Sequence, residues 1–180
     1  MFVQTEITPN PNSLKFIPGK TVSINGSFEI TKKNQVNNEL IRNLLSINGV
    51  TGIFLGADFL SVNKEEKKEW EDIKHIVISL INDFYSDGKE FVIDKKINKE
   101  EKSNFADIEK KIISILDSKI RPAVAKDGGD IKFKEFKDGI VKVQLEGSCS
   151  GCPSSTMTLK QGVQNLLCHY IPEVKEVVAI

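Results

Sequence analysis

The sequence lacks any excess of charge and any long apolar run. Its 180 residues include 25 lysines plus arginines and 25 aspartates plus glutamates, so the formal net charge is zero. A neutral chain has no bulk field that would attract nucleic-acid phosphates or anionic lipid. The chain also contains no stretch of roughly 18 or more apolar residues, the length that a membrane-spanning helix needs. We therefore expect neither nucleic acid nor a membrane as a partner.

Targeting signals are lacking as well. Residues 1–7 read MFVQTEI and show neither the charged region and apolar run of a secretory signal nor the arginine-rich character of an organelle transit peptide. This predicts a cytosolic protein, or a mature form whose presequence has been removed. With 39% hydrophobic and 28% charged residues, the composition is typical of a globular protein and excludes disorder over the whole length.

Cysteine is scarce, and its spacing is informative. The 3 cysteines are an odd number and too few for a disulfide framework. Two of them, Cys149 and Cys152, form a CxxC pair in the segment GSCSGCP at 147–153, between a predicted strand and a predicted helix. Pro153 suits the first helical position, which places both sulfurs near a helix N-terminus. Because free N–H groups and the positive end of the helix dipole favour thiolate there, we expect a surface loop that stabilises the thiolate form of both cysteines.

Several chemistries share this motif. An ordinary turn is the simplest interpretation, but free cysteines are usually buried and this pair lies in a Gly/Ser/Pro loop. Structural zinc needs four ligands, and Cys168 is roughly 24 Å further along the helix, so a zinc site would take a second chain. A thioredoxin-like dithiol oxidoreductase needs further strands and another helix after the helix that follows the motif, and too few residues follow Cys152 to form them. An iron–sulfur cluster also needs four terminal ligands, which two chains would supply.

The charge pattern predicts two domains. The segment DKKINKEEKS at 94–103 is mostly charged and is expected to be a flexible linker between domains at 1–93 and 104–180. Strands are predicted in the first domain at 2–7, 14–17, 21–24, 50–55 and 59–62, with helices at 36–47 and 65–85. The second domain is predicted as helix 105–120, strands 131–136 and 140–145, helix 153–170 and strand 174–180. The expected fold class is α+β, with two small two-layer α/β sandwiches, the second ordered α-β-β-α-β.

These residues also resemble a known family. Several segments resemble the carboxy-terminal domain of NifU and the Nfu family: RP at 121–122, DGGDI at 127–131, GSCSGCPSST at 147–156, TLKQGV at 158–163 and PEV at 172–174. The Nfu amino-terminal domain is resembled by TPNPNSLKF at 8–16, GV at 49–50 and FLG at 54–56 near Asp58 and Phe59. Together the two resemblances cover nearly the whole chain.

The resemblance implies a scaffold or carrier rather than an enzyme. It implies that Cys149 and Cys152 bind an iron–sulfur cluster, commonly four-iron (4Fe-4S) with two-iron (2Fe-2S) as the alternative, which is shared between two chains and passed to apo-proteins. The expected partners are a second copy of the chain when the cluster is bound, iron–sulfur assembly proteins and apo clients. The expected location is the bacterial cytoplasm, with the mitochondrial matrix as the alternative. A dithiol oxidoreductase and a two-chain zinc-binding interaction module are the alternative functions.

Other chemistry-bearing residues receive structural interpretations. Cys168 does not match a family ligand and is expected to be a surface or partly covered thiol. Asp127 and Asp130 flank two glycines and are expected to form a turn. His75 is expected to be a polar surface residue, and Trp70 a core residue.

Overall fold

The computed structural model describes residues 2–91 and 106–180, without the side chains of 153–155. These residues form two domains of mixed helix and sheet, which confirms the α+β fold class. We call residues 2–91 the amino-terminal domain and residues 106–180 the carboxy-terminal domain. The predicted linker at 94–103, with the boundaries drawn on either side of it, lies outside the described residues.

The amino-terminal domain is an antiparallel sheet with helices on one face. Its sheet has the strand order β1-β2-β5-β4-β3. The strands are β1 (Gln4–Ile7), β2 (Ser13–Ile17), β3 (Phe28–Ile30), β4 (Val50–Leu55) and β5 (Leu60–Lys64). The helices are a 3-10 turn (Lys33–Gln35), α1 (Glu39–Leu44) and α2 (Trp70–Ser86). Buried residues of α1 and α2 pack on alternate strand residues such as Leu60 and Val62 to form the core.

The other face of this sheet is polar for the most part. Successive strand residues point to opposite faces, so Ser61 lies on the side away from Leu60 and Val62. The strand pairing places four such residues side by side in one row across the sheet: Lys15, Ser61, Phe54 and Glu29. We call the face that carries this row the back face. Ser61 and Phe54 on it are fully buried, which means that something covers this face.

The carboxy-terminal domain contains a three-stranded sheet with the order β6-β7-β8. Its elements are α3 (Asp107–Ile115), a π turn (Leu116–Ile120), α4 (Arg121–Lys126), β6 (Gly129–Lys137), β7 (Ile140–Gly147), α5 (Pro153–Tyr170) and β8 (Glu176–Ala179). The strands β6 and β7 form the predicted hairpin, and β8 runs parallel to β7. Apolar residues of the helices pack on the sheet in a second core. The predicted order of helix, strand, strand, helix and strand is thus confirmed.

The strand predicted at 21–24 is wrong. Instead of joining a ladder, the backbone N–H groups of Val22 and Ser23 both donate to the carbonyl of Ala57, in the loop between β4 and β5. The edge strand that pairs with β4 is β3, which contains only three residues and includes the charged Glu29. So short a segment carries too little alternation to be recognised from sequence.

Three predicted helices have different ends in the structure. The helix predicted at 36–47 contains only Glu39–Leu44, and the one predicted at 65–85 begins at Trp70. The stop predicted at Arg121-Pro122 is wrong, because the chain passes through the π turn into α4. Proline is tolerated in the first turn of a helix, where its missing N–H would have no helical partner. Pro122 therefore lies in the first turn of α4, which begins at Arg121, and does not end the helical segment.

Candidate functional site

The two cysteines lie in the turn that joins β7 to α5. We call residues 147–152 the cysteine loop. Cys152 is the N-cap residue of α5, and Pro153 follows at the start of the helix, as the sequence predicted. Gly147 and Gly151 have positive φ angles of 68° and 73°, which are typical of glycine and allow the chain to turn here. The loop is anchored on its own domain, since the Ser148 N–H donates to the Gly128 carbonyl at 3.2 Å.

Both thiols are buried in this arrangement. Cys149 is 6% exposed and Cys152 is 7% exposed. Cys149 belongs to the core of the carboxy-terminal domain, and residues beside it contact the amino-terminal domain. The expectation of an accessible surface loop is therefore wrong for this arrangement, because the sequence could show neither that Cys149 packs into the core of its own domain nor that the amino-terminal domain lies against the loop.

The environment of Cys149 favours the neutral thiol. Burial raises the pKa of Cys149 to about 11, and the nearby Asp127, Asp130 and Cys152 add to the rise. Ser148 opposes it, with its Oγ 4.0 Å from the Cys149 sulfur. The expectation that the helix start favours thiolate does not hold for Cys149 here, since desolvation outweighs it.

The back face of the amino-terminal sheet contacts the cysteine loop and the adjacent residue Gly128. Ser61 Oγ donates to the Gly128 carbonyl at 2.7 Å, and Asn63 Nδ2 donates to the Gly147 carbonyl at 3.3 Å. Further hydrogen bonds join Asn10 Nδ2 to the Ser148 carbonyl at 3.0 Å, and the Gly147 N–H and Ser150 Oγ to Glu29 Oε1 at 3.3 and 3.1 Å. Sequence reasoning missed Ser61, Asn63 and Glu29. The one signal of Ser61 and Asn63 was the polar alternation of their strand, which equally fits a solvent-exposed face. Asn10 belongs to the loop at 8–13, which the sequence indicates as a rigid turn, with a recognition surface as the alternative.

A second group of contacts joins the domains around Asp130. The Arg121 guanidinium donates to both oxygens of the buried Asp130 carboxylate, at 2.9 and 2.8 Å. Ser27 Oγ of the amino-terminal domain also donates to this carboxylate. Burial alone would raise the pKa of Asp130, but the hydrogen bonds from Arg121 and Ser27 hold it below its ordinary value. Asp130 therefore has the structural role expected for it, although as an ion-pair residue at the start of β6.

We expect Asp130→Asn to destabilise the protein by about 1–3 kcal/mol, because it removes the buried one of the two carboxylates that pair with Arg121, which leaves only the more exposed Asp117. Urea denaturation followed by circular dichroism would measure the loss. Asp127→Asn is the matched control, since Asp127 is exposed and its change should cost no more than about 0.5 kcal/mol. Equal effects of the two changes would contradict this role for Asp130.

The remaining candidate residues lie outside the cysteine loop. Cys168 is partly buried, as expected, and its thiol donates to the Val174 carbonyl at 3.2 Å. His75 is exposed. Trp70 packs against the amino-terminal core while its Nε1 donates to the Pro11 carbonyl at 3.0 Å. Among residues 2–91 and 106–180, no three or more His, Cys, Asp or Glu residues form a group that could hold a metal ion.

The fold and the loop together define a protein of two α+β domains with a single CxxC pair at a helix start. Residues 3–88 match the model of the scaffold protein Nfu/NifU N-terminal family, and residues 112–178 match that of the NifU-like domain. The chain belongs to the NifU/Nfu family, which confirms the resemblance seen in the sequence.

Named relatives match almost the whole chain. It is 45% identical over 98% of its length to the human protein named NFU1 iron-sulfur cluster scaffold homolog, mitochondrial. It is 39% identical to the Arabidopsis thaliana NifU-like protein 4, mitochondrial, and 43% identical to the NFU1 homolog of Drosophila erecta, again over 98% of the chain. The chain spans 71%, 65% and 64% of the length of these three relatives. In the part of the chain that the structure describes, no helix is long and apolar enough to cross a membrane.

Proposed function

We propose that the chain is an iron–sulfur cluster scaffold and carrier. Cys149 and Cys152 bind a labile cluster of the four-iron type, which bridges two chains through their CxxC pairs and is passed to apo-proteins. The observation that carries the proposal is the ligand arithmetic: the chain has one CxxC pair, and a cluster needs four terminal ligands. The human and Drosophila erecta relatives are named iron-sulfur cluster scaffold homologs, which supports the same class.

The donor set suits this cargo in its chemistry. Thiolates are the ligands that iron–sulfur clusters prefer, and both thiols lie on one turn at the start of α5. Gly147 and Gly151 let the backbone turn closely around the two sulfurs. Cys168 is partly buried and donates its own hydrogen bond to the Val174 carbonyl, so it offers no third ligand in this arrangement. The two missing ligands therefore come from outside the chain, and the loop has to be uncovered to meet them.

A shared cluster is suited to transfer. An incoming client thiolate displaces a carrier thiolate from the cluster, in the manner of thiol exchange, where accessibility and thiolate character set the rate. This exchange needs no catalytic base, so the function is that of a carrier and not of an enzyme. The partners are a second copy of the chain, the assembly proteins that supply the cluster and the apo-proteins that receive it.

The proposed location is a reducing compartment, either the bacterial cytoplasm or the mitochondrial matrix. The relatives compared above carry the word mitochondrial in their names, which supports the matrix. Either compartment would keep Cys149 and Cys152 reduced and available to bind iron.

Anaerobic reconstitution with iron and sulfide tests the proposed function. A shared four-iron cluster predicts broad visible absorption and about two irons per chain. A colourless protein that reduces insulin disulfides would instead identify a dithiol oxidoreductase. Binding of about one zinc ion per two chains with no iron uptake would identify a zinc-bridged interaction module.

A further inference from the structure

We propose that the back face of the amino-terminal sheet is a docking surface for the cysteine loop of the same chain. Docking competes with the binding of a cluster that this loop shares with the loop of a second chain. The inference rests on the proposed function, because it concerns access to Cys149 and Cys152. It extends that function by giving the amino-terminal domain control over when the ligands become available.

Side chains of the amino-terminal domain bind the backbone of the cysteine loop and of the adjacent Gly128. Ser61, Asn63 and Asn10 each donate a hydrogen bond to a carbonyl, of Gly128, Gly147 and Ser148 respectively. Two of these carbonyls, of Gly147 and Ser148, are consecutive and directly precede Cys149, and the third belongs to Gly128, whose carbonyl also accepts from the Ser148 N–H. Three such bonds satisfy buried backbone groups on this side of Cys149 and make the contact specific.

Glu29 binds the same turn through the opposite polarity. Its Oε1 accepts from the Gly147 N–H at 3.3 Å and from Ser150 Oγ at 3.1 Å. Glu29 is therefore an acceptor at one end of the central row, while Ser61 is a donor in the middle of it. The row thus presents a donor to the Gly128 carbonyl and, two positions further along, an acceptor for the Gly147 N–H and the Ser150 hydroxyl.

Two glycines allow the domains to approach this closely. A Cβ atom on Gly128 would lie 2.8 Å from Ser61 Oγ and 3.1 Å from Thr8 Cγ2. A Cβ atom on Gly147 would lie 2.9 Å from Phe54 Cγ. These distances are shorter than ordinary van der Waals contacts, so the two surfaces fit only because both positions lack a side chain.

The consequence concerns the ligands. While the loop is docked, Cys149 and Cys152 are almost fully buried, Cys149 in part by the core of its own domain, and the contacts of the back face with Gly147 and Ser150 close the approach of a second chain's pair. Docking therefore protects the reduced thiols of the cluster-free protein. Sharing of a cluster requires the loop to leave the back face.

Ser61→Glu tests the docking surface. In the docked state the new carboxylate would be buried against the Gly128 carbonyl, whereas in the undocked state it would lie on an open sheet face. We expect alkylation of Cys149 and Cys152 by N-ethylmaleimide, measured by peptide mass spectrometry, to accelerate at least about tenfold relative to the unchanged chain. Cys168 lies elsewhere and serves as the internal control, because its rate should not change.

Two further variants separate undocking from damage to the fold. Ser114→Glu makes the same substitution at an exposed position of α3 and should leave all three rates unchanged. Glu29→Gln retains the side-chain oxygen that accepts from the Gly147 N–H and from Ser150 Oγ. It also removes the negative charge of Glu29, a group whose pKa is raised by its burial. Glu146 and Lys132 face the same carboxyl, so the labelling of this variant is measured at a fixed pH. We expect its Cys149 and Cys152 to be alkylated no faster than those of the unchanged chain. Small-angle scattering should give a radius of gyration of about 16 Å for the docked chain and a larger value for Ser61→Glu.

The outcomes distinguish this inference from the function on which it rests. Rapid labelling of Cys149 and Cys152 in the unchanged chain, equal to that in Ser61→Glu, would overturn the docking proposal and leave cluster binding intact. Faster labelling of Ser61→Glu together with faster cluster uptake during reconstitution would support both. Faster labelling with no cluster uptake by either protein would support docking as a contact, but it would overturn the proposed function and with it the competition.

Discussion

Replacing Cys152 by serine is expected to abolish cluster binding. In the proposed function each chain supplies two of the four ligands, so the change would remove two ligands from every shared cluster. A hydroxyl is a much poorer ligand for iron than a thiolate, and the remaining pair of Cys149 sulfurs cannot complete the coordination. We expect the iron content after reconstitution to fall to less than about a tenth of that of the unchanged protein, together with the loss of visible absorption. Cys149→Ser should have the same effect.

Cys168→Ser is the matched control for this experiment. Its thiol lies in α5 far along the helix from the loop and donates to the Val174 carbonyl, so its replacement should leave iron content and absorption unchanged. Circular dichroism should show that all three variants are folded. Retention of a full cluster by Cys152→Ser would remove this residue from the ligand set.

Gly147→Ala is expected to destabilise the protein by about 2–4 kcal/mol. The residue has a φ of 68°, which an L-residue adopts only with strain. The added Cβ atom would also lie 2.6 Å from the Gly128 carbonyl oxygen and 2.9 Å from Phe54 Cγ. The Gly128 carbonyl belongs to the same domain and accepts from the Ser148 N–H, so it cannot move away freely, and strain and overpacking add. Urea denaturation followed by circular dichroism would measure the free energy of unfolding.

Gly151→Ala separates the two causes. Gly151 has nearly the same φ, 73°, but a Cβ atom there would meet no atom within 4 Å. Its replacement should therefore cost only the backbone strain, about 1–2 kcal/mol. If the two variants were equally destabilised, the close packing of Gly147 against Gly128 and Phe54 would carry no energetic weight, contrary to the structure.

Local patterns were sufficient to predict that the two cysteines lie between a strand and the start of a helix. The position of Cys152 at the start of a helix follows from Pro153 and from the helical spacing after it, and the structure confirms both. The hairpin of β6 and β7 was equally clear, because two alternating segments flank a short turn at Asp138 and Gly139. These features depend on residues close together in sequence.

The features that the sequence could not predict depend on distant residues. Ser61 and Asn63 alternate with apolar residues, a pattern that fits a strand with one face in water, but here that face contacts the other domain. The burial of Cys149 and the rise of its pKa follow from packing within and between the domains. The short strand β3 and the π turn before α4 also depend on tertiary contacts that override local preference.

Native mass spectrometry of the anaerobically reconstituted protein tests the central claim most directly. Half a ligand set per chain predicts that the cluster is found in a species of two chains that carries one four-iron cluster, while the cluster-free protein lacks this species. A single chain carrying a complete cluster, with Cys149 and Cys152 as its cysteine ligands, would contradict the account.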